Sequence, residues 1–221
     1  MPVDATWRSV AQWGDLAYLQ AHLAGRLLPL ELRAARGDGC ASTREPLREA
    51  MVSGEELVAA LAARVGQAAL LPGEDTTYMA QHPLLDQVVS LAEDLVPPEL
   101  PSPVQTTAVW IGTDGTVTAL HTDSYENLFL QVAGYKYVRL YPPSETRRLY
   151  VGGRQGEGAQ GNLSQIRLEE PAEKTAAEFP ESLDAEYVEM VVGPGDAFFI
   201  PSGTWHFLRS LTPSVSINFW H

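Results

Sequence analysis

Thr116-Val117-Thr118-Ala119-Leu120-His121-Thr122-Asp123 is the stretch on which the reading of this chain turns. It alternates like a β-strand and ends in a histidine and an aspartate two positions apart. Side chains on a strand alternate with period two, so His121 and Asp123 face the same way. A second alternating run, Gly195-Asp196-Ala197-Phe198-Phe199-Ile200-Pro201, leads through Ser202-Gly203-Thr204-Trp205 to His206, 85 positions after His121. Two imidazoles and one carboxylate cover one triangular face of an octahedral metal. The opposite face stays open for substrate and O₂, as in non-haem Fe(II) oxygenases. The tripeptide alone is weak, because chance supplies an H-x-D/E about 0.6 times in a chain of this composition. What raises it is the strand context of both histidines. The alternative is two unrelated histidines, each beside a neighbouring carboxylate.

The chain has 221 residues and 45% hydrophobic content, enough to bury a core in one domain. Its one cysteine, Cys40, permits no intrachain disulfide and fits a reducing compartment, so an intracellular location, cytoplasm and/or nucleus, is expected. There is no basic segment followed by an apolar run near Met1, so no signal peptide is expected. No apolar stretch reaches the roughly 18 residues needed to span a bilayer, so no membrane partner is expected. The net charge of −13 disfavours direct nucleic-acid binding, which relies on Lys and Arg. An acidic surface suits a basic protein or peptide partner, and also plain solubility.

Along the chain, residues 7 to about 70 read as mostly helical, with Leu16, Leu19, Leu23 and Leu27 at three- and four-residue steps. Leu28-Pro29-Leu30-Glu31-Leu32 alternates like a short strand, Gly37 to Pro46 reads as a loop, and Ser53-Gly54-Glu55-Glu56 opens a helix that continues from Leu57 to Val65. A Pro-rich link follows at Pro97, Pro98 and Pro101. Beyond Pro103 the character turns to β. Strands are expected at 104–111, 116–121, 127–132, 135–141, 186–192, 197–201, 205–211 and 215–220. The fold class is therefore mainly β: a double-sheet jelly roll with N-terminal helices packed around it and the metal in its mouth. One domain, 1–221, is expected, with 1–103 as the helical N-terminal part and 104–221 as the jelly-roll core. Residues 151–185, rich in Gly, Glu and Ala, read as an exposed excursion or lid.

His121-Thr122-Asp123-Ser124-Tyr125-Glu126-Asn127-Leu128, Gly134-Tyr135-Lys136-Tyr137-Val138-Arg139-Leu140-Tyr141-Pro142, and Pro194-Gly195-Asp196 with Pro201 and Trp205-His206 resemble a Jumonji-C (JmjC) domain. Tyr78-Met79-Ala80-Gln81-His82 and Ser214-Val215-Ser216-Ile217-Asn218-Phe219-Trp220 are similar to the small-JmjC branch described both as lysine demethylase and as protein-arginine C3-hydroxylase. The resemblance implies a cupin-like double-stranded β-helix and a dioxygenase that uses Fe(II), 2-oxoglutarate and O₂. It implies His121, Asp123 and His206 as the catalytic metal ligands. It implies Lys136 as partner of the distal carboxylate of 2-oxoglutarate, with Tyr78, Thr118 and Asn127 hydrogen-bonding that cosubstrate. The residues themselves agree for Lys136: on an aromatic strand a buried cation asks for an anion, although a snorkelling surface lysine would read the same. Thr118 would equally suit an ordinary strand position, and Tyr78 an interfacial aromatic.

Substrate contacts are expected from Glu31, whose carboxylate matches a guanidinium by paired hydrogen bonds, and from Trp110 and Trp220 as pocket walls. Core packing or solvation accounts for these three residues equally well. The expected activity is hydroxylation of a side chain, arginine foremost, in a protein or peptide. The alternatives are N-methyl-lysine demethylation by the same mechanism, a non-catalytic metal-binding cupin-like interaction module, and a small-molecule cupin enzyme that would have no use for Lys136.

Overall fold

The computed structural model describes residues 7–34, 47–65, 75–96, 100–152 and 161–221. In chain order these form α1 (Arg8–Gln12), α2 (Leu16–Leu23), β1 (Leu27–Ala34), β2 (Arg48–Ser53), α3 (Gly54–Ala62) and β3 (Asp75–His82). Then come α4 (Leu84–Gln87), α5 (Val89–Ala92), β4 (Thr106–Gly112), β5 (Val117–His121), β6 (Asn127–Ala133) and β7 (Lys136–Tyr141). The chain closes with α6 (Ala172–Glu178), β8 (Val188–Val192), β9 (Ala197–Ile200), β10 (Trp205–Ser210) and β11 (Ser214–Trp220). The expected loop over Gly37–Pro46 and the Pro97-Pro98 link lie outside the described residues.

Two antiparallel sheets face each other. The larger runs β2-β1-β3-β4-β11-β6-β9 and the smaller runs β5-β10-β7-β8. The fold is mainly β, a cupin-like jelly roll, as expected. All eight strands foreseen beyond Pro103 are present, each end within two residues of its expected place.

The centre of the larger sheet is covered on both faces, and there burial is near-continuous: every residue of β11 is buried. One face carries Leu28, Leu30, Met79, Val109, Ile111, Leu130 and Ile217 against Trp13, Leu19, Leu23, Leu57 and Leu61 of the N-terminal helices. Burial of such aliphatic side chains contributes about 1.5–3 kcal/mol each. Asp94, 2% exposed, ties the helices together: it accepts hydrogen bonds from Trp13 Nε1 (2.9 Å) and the Tyr18 hydroxyl (2.7 Å). A capping box starts α3, with Ser53 Oγ accepting from the Glu56 amide (3.2 Å) and the Glu56 carboxylate accepting from the Ser53 amide (2.9 Å). The opposite face of the larger sheet meets the smaller one through Phe129, Val138, Val192, Ile200 and Leu208.

The N-terminal part differs from its helical reading. Beyond the foreseen strand at Leu28–Leu32, residues 48–53 and 75–82 are strands that extend the larger sheet. Their cores are short and polar, and pairing with β1 and β4 decides their state, a tertiary effect that overrides local propensity. Residues 161–185 are exposed over most of 171–184, where no residue is buried, but the segment is docked at its two ends. Ile166 and Ala185 are buried with Leu149, Trp205 and Phe207 on the outer face of the smaller sheet. A few anchors in a Gly-, Glu- and Ala-rich stretch suffice to dock it there.

Candidate metal centre

The antiparallel register of β5 and β10 sets His121 directly opposite His206. Their rings lie 4.1 Å apart between centroids. Asp123, just beyond β5, reaches both: Oδ1 is 3.5 Å from His121 Nε2 and Oδ2 is 3.7 Å from His206 Nε2. One ligand-type atom from each residue falls within 4.8 Å of the others. Each Nδ1 faces a main-chain carbonyl, that of Ala119 for His121 (2.8 Å) and that of Thr204 for His206 (2.9 Å). A carbonyl only accepts, so the ring proton sits on Nδ1 and both Nε2 lone pairs point at the shared space, as a metal site requires.

Electrostatics keep these groups in ligand form. Burial pushes the His206 imidazole down to about 4, helped by the neighbouring His121, so it is neutral at physiological pH. Burial works against ionisation of Asp123. Interactions with His121 and His206 and the hydrogen bond from the Trp220 indole overcome it and hold the carboxyl at about 2. Trp220 Nε1 donates to Asp123 Oδ2 at 2.9 Å.

The three residues open into a cavity between the sheets. Lys136 lines it, 2% exposed, with Nζ donating to the Tyr78 hydroxyl at 3.3 Å. An ammonium only donates, so the phenol passes its proton on to Thr118 Oγ1, 3.2 Å away. Burial alone pulls Lys136 down to about 7; among the described residues no carboxylate pairs with it. Burial likewise pushes the Tyr78 phenol well above its ordinary value, so it stays protonated. Gly112 makes room for this ring, since a Cβ there would stand 2.6 Å from Tyr78 Cδ2.

Of the residues singled out in the sequence, His121, Asp123, His206, Lys136, Tyr78, Thr118, Trp110 and Trp220 all line this cavity. Asn127 stands behind it: its Oδ1 accepts from Asn218 Nδ2 (2.9 Å), and Asn218 is the one that lines the space. Glu31 is half-buried on β1 opposite Tyr78, one strand beyond the cavity lining. Burial raises its carboxyl, opposed by Arg33 and reinforced by Glu49 across the strand pair. Asn218 and Gln81 were not singled out in the sequence. Period two from Trp220 would have found Asn218. Gln81 carries φ of 47° at a bulge between β3 and β4, a strained conformation for a non-glycine residue that no sequence pattern announces.

The donor set fits a divalent metal with three open positions. The buried lysine without an anion fits a carboxylate ligand in the same cavity. Fold and site together define a cupin-type metal-binding domain.

Comparison with known proteins agrees. A family model described as a cupin-like domain matches residues 3–221. The chain is 32% identical to "Lysine-specific demethylase JMJ30" of Arabidopsis thaliana over 98% of its own length and 47% of that protein. It is 29% identical to "JmjC domain-containing protein F" of Dictyostelium discoideum over 97% of its length and 54% of the relative. It is 40% identical to "Lysine-specific demethylase 8" of Danio rerio over 65% of its length and 35% of the relative. The chain belongs to the cupin-like, JmjC-domain family. It spans about half the length of the curated relatives it matches, or less. Among the described residues no helix is long and apolar enough to cross a membrane.

Proposed function

We propose that this chain is a 2-oxoglutarate-dependent protein hydroxylase that holds Fe(II) through His121, Asp123 and His206 and acts on an arginine side chain of a protein or peptide. The observation that carries the reading is Lys136: a fully buried amine, with no carboxylate partner among the described residues, in the same cavity as the two imidazoles and Asp123. A non-catalytic metal-binding module, or a cupin enzyme that uses no oxoacid, has no need of that arrangement.

When bound, Fe(II), 2-oxoglutarate and O₂ supply the oxidising power. Together they would convert a substrate C–H to C–OH at the expense of 2-oxoglutarate and O₂, leaving succinate and CO₂. The chain's own groups bind and orient. The carbonyls of Ala119 and Thr204 hold the two imidazoles with Nε2 inward. Trp220 fixes one carboxylate oxygen of Asp123. Lys136 pairs with the distal carboxylate, and the Tyr78 and Thr118 hydroxyls flank that pair. Asn127 acts on the cosubstrate through Asn218. Phe129, Ile200 and Leu208 exclude water from the apolar side of the cavity.

The arginine assignment is supported by the net charge of −13, by Glu31 beside the cavity and by the indole faces of Trp110 and Trp220 within it. The partner is then a basic protein or peptide, met inside the cell, in cytoplasm or nucleus, without nucleic-acid contact. N-methyl-lysine demethylation is the second reading, favoured by relatives whose names include lysine-specific demethylase. Mass spectrometry of a peptide panel incubated with Fe(II) and 2-oxoglutarate separates them. Gain of one oxygen on arginine supports the first. Loss of a methylene from methyl-lysine, with formaldehyde release, replaces it with the second. Metal binding with no succinate formed from any peptide would leave the non-catalytic module.

A further inference from the structure

Two of the three metal-facing groups come from one tripeptide, so their mutual orientation depends on the two peptide planes that meet at Thr122. The Thr122 amide belongs to the plane shared with His121, and the Thr122 carbonyl to the plane shared with Asp123. One residue of the 161–185 segment holds both. The Thr122 amide donates to the Asn162 main-chain oxygen at 2.9 Å, and Asn162 Nδ2 donates to the Thr122 oxygen at 3.1 Å.

This contact stands at the open edge of the smaller sheet. β5 is its outermost strand, paired only with β10 within that sheet. The returning segment closes the other side through an antiparallel bridge between His121 and Leu163, and the Ser164 amide donates to the Leu120 oxygen at 2.9 Å. Its far side is stitched to the chain after β7: Gln165 N to Tyr150 O at 3.0 Å and Ser164 Oγ to Leu149 O at 2.6 Å. Past the bridge to Leu163, the bond to the Thr122 carbonyl is supplied by the Asn162 side-chain amide. An aspartate or leucine at 162 has the size and lacks the donor. On the other flank, the Gly203 amide donates to the Asp123 oxygen at 2.9 Å, so the tripeptide is gripped on both sides.

We propose that Asn162 is a positioning residue that sets the mutual orientation of His121 and Asp123 by holding the two peptide planes at Thr122. The inference rests on the metal reading above. It also makes metal loading and the order of residues 161–166 reciprocal, because each stabilises the geometry the other needs.

The test reads metal binding directly, on the full chain. Mn(II) affinity and the Co(II) d–d spectrum are measured for the unsubstituted chain, for Asn162→Leu and for Phe179→Ala. Phe179, in the same segment as Asn162, packs against Tyr150 (ring centroids 5.0 Å apart) and the outer cluster of Leu149, Ile166 and Trp205. Asn162→Leu is expected to weaken Mn(II) by about tenfold, within the range usual for groups that orient metal ligands, and to alter the Co(II) spectrum. Phe179→Ala is expected to lower Tm and leave both readouts unchanged. An Mn(II) Kd for Asn162→Leu within twofold of the unsubstituted chain overturns the inference, as does an equal weakening by Phe179→Ala. Should Asn162→Leu fail to fold, hydrogen exchange of residues 161–166 in the unsubstituted chain decides. Slower exchange with Mn(II) supports the inference, and unchanged exchange overturns it. Failure of the unsubstituted chain to bind Mn(II) is seen before any substitution; it overturns the metal reading and this inference with it.

Discussion

Replacing Lys136 by methionine removes the one lysine or arginine that lines the cavity among the described residues and keeps most of the side chain's volume. Lys136 Nζ makes one hydrogen bond, to Tyr78, and lies 5.4 and 5.9 Å from the centroids of Tyr78 and Phe129. A ligand carboxylate bound there after the change is buried without its partner, which typically costs about 3–5 kcal/mol. At about 1.4 kcal/mol per decade this is roughly two to three and a half decades in 2-oxoglutarate affinity. The ligand-free protein should not suffer, because it loses an unpaired buried amine and gains an apolar side chain. Its Tm at neutral pH is expected to stay level or rise. The assay is a calorimetric titration of 2-oxoglutarate into Mn(II)-loaded parent and Lys136→Met, with Mn(II) titrated separately. Mn(II) affinity is expected to change less than threefold. The pH dependence follows from the same burial. With the amine pulled down to about 7, the ligand-free protein must take up a proton to bind the anion above that pH. Its 2-oxoglutarate Kd should rise about tenfold per pH unit beyond 7. Between that value and the ordinary lysine value of 10.5, the unfolded chain holds the extra proton, so this residue makes ligand-free stability rise with pH across the window. Saturating 2-oxoglutarate should flatten the rise. A loss of 2-oxoglutarate affinity below threefold in Lys136→Met would refute the carboxylate pairing.

Asp123→Ala and His206→Ala should each abolish turnover and sharply reduce bound metal while far-ultraviolet circular dichroism stays unchanged, since the site lies at the mouth of the jelly roll; full metal stoichiometry in both variants sinks the ligand assignment. Trp220→Phe keeps the ring in the cavity and deletes the indole donor to Asp123, so Mn(II) affinity should fall about tenfold with 2-oxoglutarate binding to the loaded protein little altered; equal affinities would show that the indole does not orient the carboxylate. Gly112→Ala drives a methyl against the Tyr78 ring and should raise the 2-oxoglutarate Kd severalfold without changing that of Mn(II). Glu31→Ala should lower kcat/KM for an arginine peptide and leave the 2-oxoglutarate Kd unchanged, and changing that arginine to lysine should remove activity in the parent, because a guanidinium fork and an ammonium are not interchangeable.

What could be read from the sequence was what repeats with a fixed period. Period two puts His121 and Asp123 on one side of the chain at the end of β5, and strand context marks His206 as their companion, but that they meet is set by the register of β5 with β10. The same rule carries the β11 face, where Trp220 points inward and Asn218 must accompany it. What could not be read depends on partners distant in sequence. Asp75–His82 has no apolar alternation of its own and is a strand because β1 and β4 flank it. The bulge between β3 and β4 then turns Gln81 into the cavity with positive φ, an outcome of two strands failing to match in step. Glu31 shows the converse case. Its residue type suggested a contact within the cavity, but register placed it opposite Tyr78 with Glu49 on its other side, two like charges on neighbouring strands. Such a pair costs stability unless something cationic joins it. A cationic substrate side chain that reaches past Tyr78 would relieve that repulsion. Arg33 on the same strand already opposes that repulsion at Glu31, so the loss of kcat/KM in Glu31→Ala decides whether a cationic substrate shares the role.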